Sequence, residues 1–483
     1  MQLTDEQQLI VASRARRLVV EARAGSGKTS TLRAYAEARS NRKMLYVAFN
    51  KAIQLEAAAK MPSNVTCRTT HSLAYRKAKQ LFGDRDREKV GNTYPSTVAR
   101  EMGSGPLAAT GALQAIQRWC GSLDGEITIK HIPEEIAQRV LEPSAIVELA
   151  RDLWKRMLDP RKTEIKMPHD GYLKLFQLDE PLVRGYDIIA VDEAQDLNIC
   201  TLDIMSRQQT AIVAVGDSAQ SIYGFRGAIN ALDTFSADER LHLTKSFRFG
   251  RGIASLANQL LSSFKGIEKS IIGAGEPQTT RYSIDFDKTL AVIARTNAVV
   301  FDEAVQNLVH GKRYHFIGGT EGYKLEKILD AYYLAVGEKG SMRDPYLRSF
   351  STFQELEKLG EESDDSELKQ LTRVVAEYGG RIPELIKEIQ ARHENIPKES
   401  WDRFNGIFFA TAHKSKGLEF EQVWLTDDYV EFFEEGREKD AEEMEQEEIN
   451  ILYVAVTRAK AAIRICQSFQ EWLDSRQQRT LIE

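Results

Sequence analysis

The chain has 483 residues, 42% of them hydrophobic and 28% charged, with a formal net charge of −6. That is room for about three folded units with sizeable cores, and with no global basic excess any nucleic-acid surface must be local. Cys67, Cys120, Cys200 and Cys466 lie far apart without a C-x-x-C pair, which argues against a zinc ribbon, an iron–sulfur cluster or a disulfide scaffold and marks them as reduced core residues.

The N-terminus, Met1-Gln2-Leu3-Thr4-Asp5-Glu6, lacks the basic start and apolar stretch of a signal peptide, and no apolar run reaches membrane-spanning length, so a soluble intracellular protein is expected. Next, the apolar run Leu18-Val19-Val20 leads into Ala22-Arg23-Ala24-Gly25-Ser26-Gly27-Lys28-Thr29, and Ser30 to Arg39 has helix-forming composition. This strand–loop–helix pattern is a phosphate-binding loop. Its glycines let backbone N–H groups curl around a polyphosphate, Lys28 can reach the β and γ phosphates, and the Thr29 hydroxyl can hold Mg²⁺. Ala22 stands where the usual pattern has its first glycine and still leaves little side chain at the turn.

Short apolar runs follow at Met44–Phe49, Asp187–Val191 and Ala211–Val215, and again at Leu290–Ala294, Ile407–Ala410, Val423–Leu425 and Ala462–Ile465. Continuous apolar strands of this kind belong to parallel sheets covered on both faces, so two α/β domains in tandem are predicted. Two segments of helical composition, roughly Tyr75 to Lys166 and Ala331 to Asp402, read as insertions. The acidic run from Glu434 to Glu448 reads as a solvated helix approaching the next strand. Trp119, Trp154 and Trp401, in or beside the insertions, are expected in cores.

Asp192-Glu193-Ala194-Gln195-Asp196 directly follows the strand ending at Val191, so its carboxylates emerge at the edge of the sheet where α/β proteins bind ligands. Asp192 suits Mg²⁺ coordination and Glu193 suits orienting or deprotonating an attacking water. The third strand runs into Gly216-Asp217-Ser218-Ala219-Gln220-Ser221-Ile222-Tyr223-Gly224-Phe225-Arg226-Gly227-Ala228, where Gln220 could bond a γ-phosphate or the water. Tyr223 and Phe225 either pack in a core or, beside Arg226, stack on the bases of a single strand.

With these motifs in order, the chain resembles a superfamily 1A DNA helicase of the UvrD/Rep type. Leu3-Thr4-Asp5-Glu6-Gln7 resembles the Q-motif, the phosphate loop motif I, Asp192–Asp196 motif II and Gly216–Ala228 motif III. Leu243–Arg248 resembles motif IV, Thr411–Phe420 motif V, and Glu447-Glu448 through Leu452–Ala459 motif VI. Tyr46–Lys51 and His169–Leu175 look most like the helicase core of F-box DNA helicases and their bacterial relatives. No F-box precedes that core here, so a ubiquitin-ligase role is not carried over.

The resemblance implies two tandem RecA-like P-loop NTPase domains with parallel sheets, each interrupted by a mainly helical insertion. The expected division is 1–75 plus 167–243 and 244–335 plus 403–483 for the two domains, with insertions 76–166 and 336–402. It implies ATP and Mg²⁺ as cofactors, held by Gln7 at the adenine edge, Ala24, Gly25, Ser26, Gly27, Lys28 and Thr29 at the phosphates, Phe247 stacked on the base and Glu419 at the ribose. Thr29 and Asp192 would hold the metal. Lys28, Thr29, Asp192, Glu193 and Gln220 would carry catalysis, with Arg248 and Arg458 as arginine fingers from the second domain.

A DNA track would run over Phe49, Asn50, Thr69, His71, Ser72, Tyr223, Phe225 and Arg226, then His413 and Lys414; for His71 and His413 a core role is the alternative. The family implies 3′→5′ movement on single-stranded DNA and at single-strand/duplex junctions, driven by ATP-dependent domain closure in repair, recombination or replication. The rival reading is an ATPase stimulated by single-stranded DNA that strips proteins or powers a partner nuclease with little unwinding. A cytoplasmic, bacterial or phage-encoded monomer that works with a nuclease or repair protein and without a membrane is expected.

Overall fold

The computed structural model describes residues 2–224, 231–267, 269–362 and 365–482. They form two units, one of Met1–Arg23 and Gly27–Leu243, the other of Ala24–Ser26 and Thr244–Glu483.

The first unit is built on a six-stranded parallel sheet, β1 (Arg17–Ala22), β2 (Met44–Ala48), β3 (Val65–Thr69), β4 (Ile188–Val191), β5 (Ala211–Gly216) and β6 (Glu239–Leu243), in the order β3-β2-β4-β5-β1-β6. Every residue of β2 and β4 is buried, because central parallel strands are covered on both faces. Burial of one such aliphatic side chain contributes about 1.5–3 kcal/mol. The register sets Glu21 beside Gly216 and Val191 beside Ala214, so the segments leaving β1, β4 and β5 emerge at one sheet edge.

Four helices flank the beginning of this unit: α1 (Asp5–Ala12), α2 (Lys28–Glu37), α3 (Lys51–Lys60) and α4 (Thr70–Phe82). The predicted first insertion is helical, with helices Pro95–Met102, Pro106–Cys120 and Pro143–Leu158. Trp119 is buried there, edge-on to Trp154 at 4.9 Å, with its indole N–H donated to the Asp124 carbonyl at 2.9 Å. A helix over His169–Leu178 returns the chain to the sheet.

The second unit holds a five-stranded parallel sheet, β9 (Leu290–Ala294), β10 (Tyr314–Phe316), β11 (Ile407–Thr411), β12 (Phe420–Leu425) and β15 (Ala459–Arg464), in the order β10-β11-β9-β12-β15. A short parallel pair, β7 (Lys245–Ser246) and β8 (Ile272–Gly273), precedes it. The second predicted insertion is also helical, with helices Phe353–Glu362, Ser366–Tyr378 and Ile382–Arg392. Trp401 is half-buried and packs 4.9 Å from Phe408. The α/β class with tandem parallel sheets therefore holds.

Two expectations need correction. The acidic run begins as an antiparallel hairpin, β13 (Phe433–Glu434) with β14 (Arg437–Glu438), and becomes helical only at Gln446–Val456. Glu435 and Gly436 both have positive φ, 48° and 80°, the geometry of a two-residue hairpin turn, and Arg437 pairs with Glu443 to hold the following segment. All four cysteines are free thiols, but Cys67 is only half-buried, because it lies on the edge strand β3. Among the described residues no helix is long and apolar enough to cross a membrane.

Candidate active site

In the first unit the phosphate-loop lysine and the motif II carboxylates converge. Lys28 opens α2, where the left-handed Gly27 (φ 80°) is the cap residue and supplies no side-chain acceptor for the first helical N–H groups. Lys28 Nζ lies 2.8 Å from Glu193 Oε2. Burial alone would lower the Lys28 pKa, but the charges of Glu193 and Asp192 outweigh it and the net direction is upward. The ammonium is therefore kept.

Glu193 sits just past β4 with φ 52°, a left-handed conformation that a glutamate adopts only when its surroundings impose it. The imposing contacts are side-chain bonds: besides Lys28, Glu193 accepts from Gln195 Nε2 at 2.7 Å, and its own backbone N–H donates to Asp192 Oδ1 at 2.9 Å. Asp192 is buried and also accepts from the Tyr46 hydroxyl. Burial, then the neighbouring Glu193 charge, push its pKa up to about 6. Burial and Asp192 drive Tyr46 strongly upward, so that phenol remains a donor.

Sequence reasoning missed the residue that joins the strand ends. Gln195 is fully buried, and its side-chain oxygen accepts the Asp217 N–H at 3.1 Å while its nitrogen holds Glu193. A Cβ on Gly216 would fall 2.2 Å from that oxygen, so the strand end must be glycine for the link to form. Asp217 then accepts from Gln220 Nε2 at 2.6 Å, which brings the predicted Gln220 into the same network. Arg23, Glu21 and Ser218 close its far side: Arg23 bonds Glu21 at 2.8 Å, and the Ser218 N–H donates to Glu21 at 3.0 Å.

Gln7 is buried on α1, where its oxygen accepts the Thr4 N–H in a capping box and its amide nitrogen lies 3.2 Å from where a Gly27 Cβ would be. Its amide thus sits against the phosphate loop with the donor end toward Gly27. Thr29 is half-buried at the start of α2. Among the described residues no group of three or more His, Cys, Asp or Glu forms a metal cage. Mg²⁺ bound with a nucleotide takes only one or two protein ligands beside phosphates and water, and the Thr29 hydroxyl and Asp192 carboxylate fit that donor set.

Phe49 and Tyr223 stack on one another, centroids 5.6 Å apart and planes 17° from parallel, both half-exposed. Asn50 caps α3, accepting from Ile53 N–H at 2.9 Å. Thr69 caps α4, accepting from Ser72 N–H at 3.1 Å, and Ser72 is exposed. His71 is no core residue: its side chain is half-exposed, and Nε2 lies 2.9 Å from Asp170 Oδ1. Phe225 and Arg226 lie outside the described residues.

In the second unit Gly25 (φ 72°) accepts the Phe247 N–H at 2.9 Å, and a Cβ there would meet Arg248 Cβ at 2.6 Å. Ala24 is buried, and the Ser26 hydroxyl is buried with no hydrogen-bond partner among the described residues. An orphaned hydroxyl among left-handed glycines fits an anion such as a polyphosphate. Phe247 is 40% exposed, unusual for a phenylalanine and suited to stacking on a base.

Arg248 and Glu419 come together, Nε to Oε2 2.9 Å, and Arg248 also donates to the Thr457 carbonyl at 3.0 Å. Arg458 differs from Arg248 in being 1% exposed, with its guanidinium bonded to Val454 O (2.8 Å), Leu418 O (3.1 Å) and Thr457 Oγ1 (3.0 Å). His413 and Lys414 follow β11 and are half-buried. Lys414 Nζ lies 4.3 Å from the Tyr323 ring centroid, and burial lowers its pKa. A second missed pair is Arg295 with Glu448, bonded through Nε at 2.8 Å and Nη2 at 2.6 Å, which ties the end of β9 to the helix carrying motif VI.

Comparison with known proteins finds family matches along most of the chain. Residues 3–239 match the UvrD/REP helicase N-terminal domain and residues 241–469 the UvrD-like helicase C-terminal domain. F-box DNA helicase 1 of Gallus gallus is 34% identical over 98% of this chain and 50% of its own length. F-box DNA helicase protein 1 of Schizosaccharomyces pombe is 32% identical over 95% of this chain and 56% of its own. ATP-dependent DNA helicase UvrD2 of Mycobacterium bovis is 24% identical over 61% of the chain and 49% of its own. The chain thus spans about half the length of these relatives. The two with the widest match are eukaryotic, which gives no support to the expected bacterial or phage origin.

Proposed function

The chain belongs to the UvrD-like family of DNA helicases, and on that premise we propose that it is an ATP-dependent motor moving 3′→5′ along single-stranded DNA and unwinding duplex at junctions. The observation that carries this reading is the continuous network Lys28–Glu193–Gln195–Asp217–Gln220. It couples a phosphate-loop cation to a carboxylate held in a strained conformation and then to the loop that bears Tyr223.

ATP with Mg²⁺ would supply the phosphoryl bond whose hydrolysis drives the cycle. Lys28 would hold phosphate oxygens, Thr29 and Asp192 the ion, and Glu193 the attacking water, whose proton it accepts. Gln7 and Phe247 would hold the base, Glu419 the ribose, and Arg248 and Arg458 the charge that develops on the γ-phosphate. Gln195 would report the state of Glu193 to Asp217 and Gln220, and so to Tyr223 on the strand. The two α/β domains would close and open once per nucleotide, alternating their grip on DNA. The segments 76–166 and 336–402 would serve as accessory insertions. We assign the protein to DNA repair, recombination or replication, working as a monomer.

The test measures ATP hydrolysis with and without single-stranded DNA, and unwinding of 3′- and 5′-tailed duplexes, for the wild type and Lys28→Ala. Stimulation by DNA and 3′-tail-dependent unwinding, both absent in Lys28→Ala, are expected. Hydrolysis indifferent to DNA overturns the motor, and a requirement for a 5′ tail overturns the polarity. Stimulation without unwinding leaves the protein-stripping or nuclease-partner reading in its place.

A further inference from the structure

The helix α4 continues from the motif that holds Thr69 and Ser72, and its two faces differ sharply. Ala74, Ala78 and Phe82 are buried against the core, whereas Ser72, Arg76 and Lys79 are exposed at spacings of four and three residues, one stripe along the helix. We infer that this stripe binds the phosphate backbone of nucleic acid, prolonging the contact of Thr69 and Ser72 through Arg76 and Lys79. The inference deepens the DNA-track reading and rests on it.

The helix His169–Leu178, which carries a motif that the hydrolysis network does not use, packs alongside α4 and contacts its side chains. Asp170 accepts from His71, and the Phe176 ring centroid lies 5.0 Å from the Arg76 guanidinium carbon. Asp179, just past the helix, pairs with Lys77. Two carboxylates beside this helix, Asp170 and Asp179, are thereby engaged by His71 and Lys77, while Arg76 and Lys79 make no ion pair among the described residues. An arginine supported on an aromatic ring and left without a counter-ion retains its N–H donors for a phosphate.

Geometry matches the ligand. From Ser72 to Lys79 the helix advances about 10 Å at 1.5 Å per residue, the axial length of about three nucleotides of a duplex strand. A merely solvated helix face would carry the same charges but would not change how DNA affinity responds to salt.

Binding of a labelled oligothymidine and of a hairpin with a 3′ single-stranded tail is measured by fluorescence anisotropy across 50–200 mM salt, with the full chain and Arg76→Ala/Lys79→Ala. The dissociation constant should rise about tenfold near 100 mM salt, and the slope of log affinity against log salt should flatten by about 1.4, or 0.7 per lost contact. Hydrolysis without DNA should be unchanged, and Arg76→Lys/Lys79→Arg should keep the wild-type slope. Loss on both probes assigns the stripe to the single strand, and loss on the tailed hairpin alone assigns it to duplex phosphates. An unchanged affinity and slope on both probes overturns the inference while leaving the motor intact. If the wild type binds DNA without stimulated hydrolysis, the motor reading falls and the stripe is still judged by its slope.

Discussion

Lys28 Nζ and Glu193 Oε2 stand 2.8 Å apart, so the cation proposed to hold phosphate and the carboxylate proposed to activate water are ion-paired with each other. An anion that engages Lys28 competes with Glu193 and leaves the carboxylate to bond water instead. In the proposed mechanism binding and activation would then be one event, which would guard against a base poised before the phosphates arrive.

Glu193→Gln removes the charge and keeps the shape. We expect hydrolysis to fall by about 10²–10⁴, the range for loss of a general base, while nucleotide binding persists because Lys28 loses its competitor. Steady-state hydrolysis and titration with a fluorescent nucleotide check this, and wild-type turnover in the variant would remove Glu193 from the mechanism.

Gly216→Ala tests the link between the strand ends. The new methyl would lie 2.2 Å from Gln195 Oε1, so the amide must swing away from the Asp217 N–H and from Glu193. Leaving a buried backbone donor unpaired costs about 1–3 kcal/mol. We expect a lower melting temperature together with at least about tenfold slower DNA-stimulated hydrolysis, and Gln195→Ala should reproduce the kinetic loss. Full hydrolysis in both variants would make the link purely structural.

The contrast between Lys28 and Gln195 marks what a sequence discloses. Lys28 was legible because its loop is contiguous, and the buried strands because an unbroken apolar run has few other uses. Gln195 acts through Asp217, 22 residues away, and only the β4–β5 register brings them together. Strands β3 and β6 also escaped notice: at the sheet edges one face meets water, and Val65-Thr66-Cys67-Arg68-Thr69 and Glu239-Arg240-Leu241-His242-Leu243 carry polar residues there. Arg458 was legible as the arginine within motif VI, but its burial on carbonyl oxygens follows from packing of the preceding helix.

Stability should depend on pH through Glu303, on the helix Asn297–His310. Burial, then the charges of Asp302, Asp428 and Asp427, push its pKa from about 4.5 up to about 7. The folded chain therefore holds this proton more tightly than the unfolded chain, and stability falls as pH rises from about 4.5 through about 7. Glu303→Gln should raise stability at pH 8 by about 1–2 kcal/mol and change it little at pH 5. Thermal melts at the two pH values check the sign; an equal shift at both would assign the effect to something other than titration.

The stacked pair Phe49–Tyr223 makes a graded prediction about DNA. Two half-exposed rings 5.6 Å apart and 17° from parallel offer a ready aromatic face to a nucleobase. Stacking of a base on such a face is worth about 1–3 kcal/mol, so Phe49→Ala or Tyr223→Ala should weaken single-strand binding by about 5- to 150-fold. Because each ring supports the other, the double variant should lose less than the sum of the singles, which a double-mutant cycle on anisotropy titrations measures. Retention of one aromatic by Tyr223→Phe should keep affinity near wild type, since stacking needs the ring and not the hydroxyl. Additive losses would mean the rings bind independently, and no loss in either single variant would remove this pair from the track.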